Sequence, residues 1–128
     1  MKKVLLILAI VFGISTNLFA IDFSVTGVTV TATYTEPSTN ADNSSLTDLD
    51  HTSIYYDMGM GQILGKSVPA SSLVGGGNIS TSFAVPVSEG MEKDIDFWAT
   101  AWDTSQNESE KSNIMRKRID RLRPAPPK

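Results

Sequence analysis

Two tryptophans, Trp98 and Trp102, are the residues of this sequence best suited to binding chemistry. They lie four positions apart in DFWATAWDTSQNESEKSN, residues 96–113, just before a run of turn-forming side chains. Flat aromatic rings give protein and glycan partners a large contact area at a low entropy cost. Because alternate residues of a strand face opposite sides, Trp98, Thr100 and Trp102 share the face opposite Phe97.

The C-terminal end is a second candidate for binding, because its charge is opposite to that of the rest of the chain. Residues 21–110 carry 13 acids and two bases, whereas residues 111–128 carry seven bases and one acid. Such a basic end can attract an anionic partner, for example a phospholipid surface or an acidic cell-wall polymer. Alternatively, charges on an edge strand prevent strand-to-strand aggregation. The candidate residues for an anionic partner are Arg116, Lys117, Arg118, Arg121 and Arg123.

The motifs of enzymes and metal sites are incomplete in this sequence. GMGQILGKS, residues 59–67, differs from a phosphate-binding loop because Met60 stands where the pattern requires glycine. We expect a flexible connection there. His51 is the only histidine and is expected in a surface loop, and the acids of residues 42–50 lack the spacing of a helix-loop-helix calcium site. We therefore expect no catalytic residue, no metal and no cofactor, and a protein that is not an enzyme.

The first twenty residues are typical of a secretory signal peptide. Lys2 and Lys3 precede an apolar run at residues 4–14, and the segment ends at the small residue Ala20. The run is shorter than the roughly 20 residues that a membrane-spanning helix needs. We predict cleavage after Ala20, which implies a periplasmic or secreted protein without a membrane span. The chain has no cysteine, so apolar burial must hold the fold together without disulfides.

The remaining sequence has the two-residue period of β-strands and no helical period. Turn-rich segments separate the strands, which indicates an all-β sandwich. We expect one such domain at residues 21–120, followed by a basic, proline-rich tail at residues 121–128 that cannot join a sheet. The strands are predicted at residues 28–35, 53–57, 79–87, 93–103 and 112–120.

Three stretches of the sequence resemble a fibronectin type III domain of the bacterial kind. YTEPSTNADNSSLTDLDHTSIYYD, residues 34–57, is similar to the family's strand B, the following loop and strand C. FAVPVSEG, residues 83–90, is similar to strand E and its turn. FWATAWDTSQNESEKSN, residues 97–113, is similar to strand F and the start of strand G. The resemblance covers about residues 27–120, and it implies an immunoglobulin-like two-sheet sandwich of fibronectin type III topology with a short strand A before strand B.

Four residues depart from the family's pattern. Tyr34 stands where a core tryptophan is usual, which implies a smaller core at that point. Ile95 stands where the family has a tyrosine that hydrogen-bonds to the backbone. Asn43 and Gln106 each replace a glycine in a turn, and Asn tolerates a left-handed backbone better than Gln does.

The resemblance also extends the candidate site and suggests a function. Strand F pairs with strand C in this family, which adds Tyr55 to the face of the tryptophans. One hypothesis for this face is an exposed ligand-binding strip of Tyr55, Trp98, Thr100 and Trp102. The alternative is that Lys and Arg stems of the last strand cover these rings.

The function expected from these features is that of an exported, monomeric, non-catalytic binding or cell-adhesion module. Its partner would be a protein or carbohydrate at the cell envelope or exterior, and not a nucleic acid. The alternative is a structural subunit that assembles with itself or with a larger surface or virion structure. In that case the charged edge and the proline-rich tail would form the joint.

Overall fold

The computed structural model describes residues 20–128, which form seven strands and no helix. Apart from Ala20, the predicted signal peptide at residues 1–20 lies outside the described residues. Within them, no helix is long and apolar enough to cross a membrane. The strands are β1 (Asp22–Thr26), β2 (Thr29–Thr35), β3 (Leu49–Asp57), β4 (Gln62–Pro69), β5 (Asn78–Ala84), β6 (Glu92–Asp103) and β7 (Met115–Asp120).

The strands form two antiparallel sheets, as the predicted all-β fold requires. One sheet has three strands in the order β1-β2-β5, and the other has four in the order β4-β3-β6-β7. The central pair β3–β6 runs from Leu49 opposite Asp103 to Asp57 opposite Asp96. As expected, the strand before β2 is short, with five residues.

The core lies between the two sheets and is built from alternate residues of each strand. In β2 the buried residues are Val30, Ala32 and Tyr34, because their side chains leave the same side of the pleat. Phe97 of β6 is fully buried and stacks on Phe23, with 5.3 Å between ring centroids. Phe97 therefore lies in the core and fixes the register of β6, which sends Trp98 to the outer face.

The expected flexible connection around residues 59–67 is wrong, because β4 occupies most of it. This strand pairs with β3 and forms one edge of the four-stranded sheet. The alternation of buried and exposed residues in β4 is weak because most of its residues remain exposed at that edge. Gly65 is required by packing: a Cβ there would lie 2.6 Å from the Phe83 ring.

Two further predictions concern His51 and the turns that contain Asn43 and Gln106. His51 belongs to β3 and is half-buried, so its expected place in a surface loop is wrong. Asn43 and Gln106 do have left-handed backbones, with φ of 70° and 68°. The Gln106 turn is held by Asp103, whose carboxylate accepts hydrogen bonds from the Ser105 and Asn107 backbone N–H groups, both at 2.9 Å.

Candidate functional site

The four residues of the predicted aromatic strip lie together on the outer face of the four-stranded sheet. Tyr55 pairs with Trp98 across β3 and β6, and their rings stack with centroids 6.0 Å apart. The Tyr55 hydroxyl and the Thr100 hydroxyl both donate to Glu108 Oε2, at 3.3 and 2.7 Å. Trp102 stacks on His51 with centroids 5.6 Å apart. The sequence thus predicts the composition of this face correctly.

The hypothesised exposure of the strip is wrong, because Tyr55 is only 9% exposed and Trp98 only 4%. Residues 104–114, here called the covering segment, run back along β6 after the turn. The ammonium group of Lys111 lies 4.4 Å from the centre of the Trp98 ring, a cation–π contact. The rings are therefore covered, as in the alternative, but by Lys111 of the covering segment rather than by Lys and Arg stems of the last strand. Trp102 is the more exposed tryptophan, but it is still half-buried.

Serine side chains attach the covering segment to β6. The Ser109 backbone N–H donates to the Ala101 carbonyl at 2.8 Å, and the Ser109 hydroxyl accepts from the Ala101 N–H at 2.9 Å. Ser112 makes the same pair of hydrogen bonds with Ala99, both at 2.9 Å. These bonds fix the segment in the position from which Glu108 and Lys111 reach the aromatic face.

An open groove of about 510 Å³ lies between the two sheets, on the opposite side of β6 from the tryptophans. Its floor includes Ala99 and Ala101, which continue the inward-facing row that Phe97 begins. The opposite wall includes Tyr34 of β2 and Pro37, which follows that strand. The groove exists because two methyl side chains and a tyrosine leave unfilled the space that larger residues would occupy.

Two hydroxyl groups among the groove residues have no hydrogen-bond partner. The Tyr34 and Thr52 oxygens are both buried, and neither makes a hydrogen bond of acceptable geometry. Burial raises the pKa of the Tyr34 phenol, the neighbouring Thr52 hydroxyl opposes that shift, and the Glu36 charge adds to it. The phenol therefore stays protonated and keeps a proton to donate at neutral pH.

A second cavity of about 250 Å³ adjoins the groove. Both are bordered by Pro37, Thr39, Ala101 and Ser109, so together they extend along the covering segment. The second cavity is also bordered by Trp102, whose buried indole N–H has no partner.

The walls of the groove are held by buried polar contacts. The Glu36 carboxylate is buried and accepts hydrogen bonds from the Ser71 N–H at 2.8 Å and the Gly77 N–H at 3.1 Å. The Asn113 side chain binds the backbone of Ile21, accepting from its N–H at 2.9 Å and donating to its carbonyl at 3.1 Å. These contacts fix Ile21 and the start of the chain after β2, both of which border the groove.

The predicted anion-binding residues lie along β7 and the chain that follows it. Arg116 pairs with Asp96 and Arg118 with Asp94, each with a nitrogen–oxygen distance of 2.9 Å. Arg121 and Arg123 both contact Glu89, at 3.4 and 3.0 Å. An anionic partner would have to compete with these carboxylates, and Lys117 is the member of the set with no such pair among the described residues.

Two observations on residues 20–128 concern metal ligands and the surroundings of His51. No group of three His, Cys, Asp or Glu side chains in this part of the chain is arranged to hold a metal ion. His51 contacts Asp50 at 2.6 Å, but its ring lies flat against Trp102 rather than in a cleft.

Sequence reasoning missed the groove, although one signal was present. The inward row of β6 changes from Phe97 to alanine twice in succession, at Ala99 and Ala101. Tyr34 replaces the larger residue that the fibronectin type III resemblance implies at the facing position. Comparisons with protein-family models, curated proteins and solved structures found no match to this chain.

Proposed function

We propose that this chain is an exported, non-catalytic binding module that holds an extended segment of a protein partner in the groove between its sheets. The observation that carries the proposal is the groove itself, open to the surface and supported by contacts that need no ligand. Pockets of this size, mostly apolar with a few polar groups, are the usual form of a binding site.

A protein partner fits this site better than a glycan. Sugars stack on exposed aromatic rings, and the rings of Tyr55 and Trp98 are covered by the protein itself. The groove offers apolar surface from Ile21, Pro37 and Ala99. Such a surface suits the side chains of a peptide, which bury apolar area on binding.

The strand order supports membership of the fibronectin type III family. If β1 to β7 are strands A, B, C, C′, E, F and G, the sheets have the order A-B-E and C′-C-F-G. This is the arrangement that the resemblance implies, with strand F beside strand C. Export to the periplasm or the exterior, through the signal at residues 1–20, is part of the same proposal.

A leucine at position 101 tests the groove, because its side chain would fill the space above Ala101. Ala84→Leu is the matched control, since Ala84 is exposed at the far end of β5. The protein and both variants are immobilised and used to capture partners from the native cell envelope, which mass spectrometry identifies. We expect Ala101→Leu to lose a partner that the protein and Ala84→Leu retain. Equal capture by all three would contradict the proposal.

A further inference from the structure

The tail, residues 121–128, is attached to the body of the protein only at its beginning. Arg121 pairs with the backbone of Met91 and Gly90, and its side chain donates to the Val87 carbonyl at 2.9 Å. Residues 122–128 are exposed and lie in no strand. Three of the last five residues are prolines, which favour an extended conformation and have no N–H to donate. The end of the chain is therefore a preformed extended segment with unused carbonyl acceptors.

The two ends of the sandwich carry opposite charges. The connections around the groove, residues 36–48 and 103–111, contain six acids and one base and are here called the acidic end. The tail contains three bases and no acid. It leaves the sandwich beside Glu92, where β6 begins, whereas the groove lies beside Ala101, where β6 is about to end. The basic tail thus projects from the end opposite the acidic end.

The tail of a given molecule cannot lie along that molecule's own groove. From Glu92 to Ala99, the groove residue of β6 nearest to it, the strand spans about 23 Å at about 3.3 Å per residue. Residues 122–128 span about 22 Å at about 3.1 Å per residue in an extended proline-rich conformation, so residues 124–128 cannot lie along the groove of their own molecule. An occupant with the chemistry of this tail must therefore come from another molecule.

We propose that the groove binds residues 124–128 of a second copy of this chain, so that copies associate head to tail. This inference rests on the proposed function, because it names the occupant of the same groove. The contact joins two different surfaces, so it can repeat and build a linear assembly rather than a closed dimer.

The chemistry of the segment complements the chemistry of the groove. The Tyr34 and Thr52 hydroxyl groups neighbour each other in the groove and make no hydrogen bond of acceptable geometry among residues 20–128, and proline-rich backbone supplies acceptors with few donors of its own. Proline rings suit the apolar surface of Pro37 and Ala101. The groove lining itself contains Glu110 and Lys111, so the charge of Lys128 is complemented by the surrounding acidic end rather than by the lining.

Analytical ultracentrifugation of the purified protein at increasing concentration tests the association. We expect reversible self-association that is lost when residues 123–128 are deleted, and lost in Ala101→Leu but retained in Ala84→Leu. Because opposite charges contribute, association should weaken as the salt concentration rises. A protein that stays monomeric at every concentration, or that associates equally well without its tail, would overturn the inference.

A synthetic peptide with the sequence RLRPAPPK tests the contact directly and does not depend on how the variants assemble. Its binding to the tail-deleted protein is followed by NMR, with the peptide RLRAAAAK as the control. We expect shifts at Tyr34, Ala99 and Ala101, and at least about tenfold weaker binding to a tail-deleted Ala101→Leu variant, which corresponds to about 1.4 kcal/mol. Shifts at residues remote from the groove, equal affinity for the variant, or no binding would overturn the inference.

The two proposals fail in distinguishable ways. If the peptide does not bind but Ala101→Leu loses a partner from the envelope, the groove binds another protein and only the tail is the wrong occupant. If Ala101→Leu neither loses a captured partner nor changes peptide binding, the groove is not a binding site and both proposals are wrong.

Discussion

Tyr34 is a residue whose ring suits its buried position and whose hydroxyl group does not. Its ring is buried and fills part of the core, yet its hydroxyl has no hydrogen-bond partner among the described residues. A buried polar group without a partner costs about 1–3 kcal/mol relative to an apolar atom in the same place.

Tyr34→Phe should therefore leave the free energy of unfolding unchanged or raise it by up to about 1 kcal/mol. Tyr34→Ala, the control, should lower it by about 3–5 kcal/mol because the ring is also removed. Urea denaturation measures both values. A loss of more than about 1 kcal/mol in Tyr34→Phe would mean that its hydroxyl is hydrogen-bonded in the folded protein.

Gln106 has a backbone conformation that glycine adopts more easily. With φ of 68°, its Cβ crowds the following carbonyl group at a cost of roughly 1–2 kcal/mol, partly offset by the greater freedom of glycine when unfolded. Gln106→Gly should therefore stabilise the protein by about 0.5–1 kcal/mol. Asn43→Gly should stabilise the protein less than Gln106→Gly does, because Asn tolerates this conformation. Thermal unfolding compares the two, and an equal gain would contradict the explanation.

At the level of elements, β6 and the covering segment act together. Trp98→Ala should lower the free energy of unfolding by about 3–5 kcal/mol, because the ring lies beneath Lys111 and against Tyr55. Trp102→Ala should cost less, about 1–3 kcal/mol, because that ring is only half-buried. Chemical denaturation of the two variants gives the comparison. Similar small losses for both would show that the segment leaves the aromatic face open in solution.

The ion pairs between β6 and β7 make the free energy of unfolding depend on pH. Hydrogen bonds from Arg118 and Arg116 lower the pKa of Asp94 and of Asp96 in the folded protein. A carboxyl group whose folded pKa lies below its unfolded value of about 3.9 stabilises the fold above that pH. This contribution to the free energy of unfolding is lost as the pH falls through the folded pKa values of Asp94 and Asp96.

Acid should therefore lower the melting temperature mainly below about pH 4. A double variant, Asp94→Asn with Asp96→Asn, should melt at a lower temperature than the unchanged protein at pH 7 and lose less on further acidification. Calorimetry from pH 7 to pH 2 records both curves. If the melting temperatures of the two proteins fall in parallel as the pH is lowered, the pairs of Asp94 and Asp96 with arginine do not contribute to stability.

For the whole molecule, the predicted cleavage site lies directly before the first buried residue of the part of the chain that the structure describes. Ala20 is exposed, whereas Ile21 is buried and bound through its backbone to Asn113. Cleavage after Ala20 would therefore keep every buried residue of this described part. N-terminal sequencing of the exported protein should begin at Ile21, and a chain that retains Met1 in a membrane fraction would contradict the predicted export.

The sequence by itself determined the all-β class, because two-residue alternation is a local property of β2 and β6. It also determined the shared face of Trp98, Thr100 and Trp102, since the pleat fixes side-chain direction along a strand, whereas Tyr55 was added to that face by the fibronectin type III resemblance. The left-handed turn at Gln106 was likewise readable from the residues around it.

Only the tertiary structure decided what covers each face. Whether Trp98 is exposed depends on the path of the covering segment, which serine side chains attach to β6. The groove beside Ala101 depends on the distance between two sheets, and no local pattern encodes that distance. β4 was missed for the same reason, since its pairing with β3 makes it a strand while most of its side chains remain exposed. Exposure and empty space arise from residues far apart in the chain, so the alternation of one strand cannot predict them.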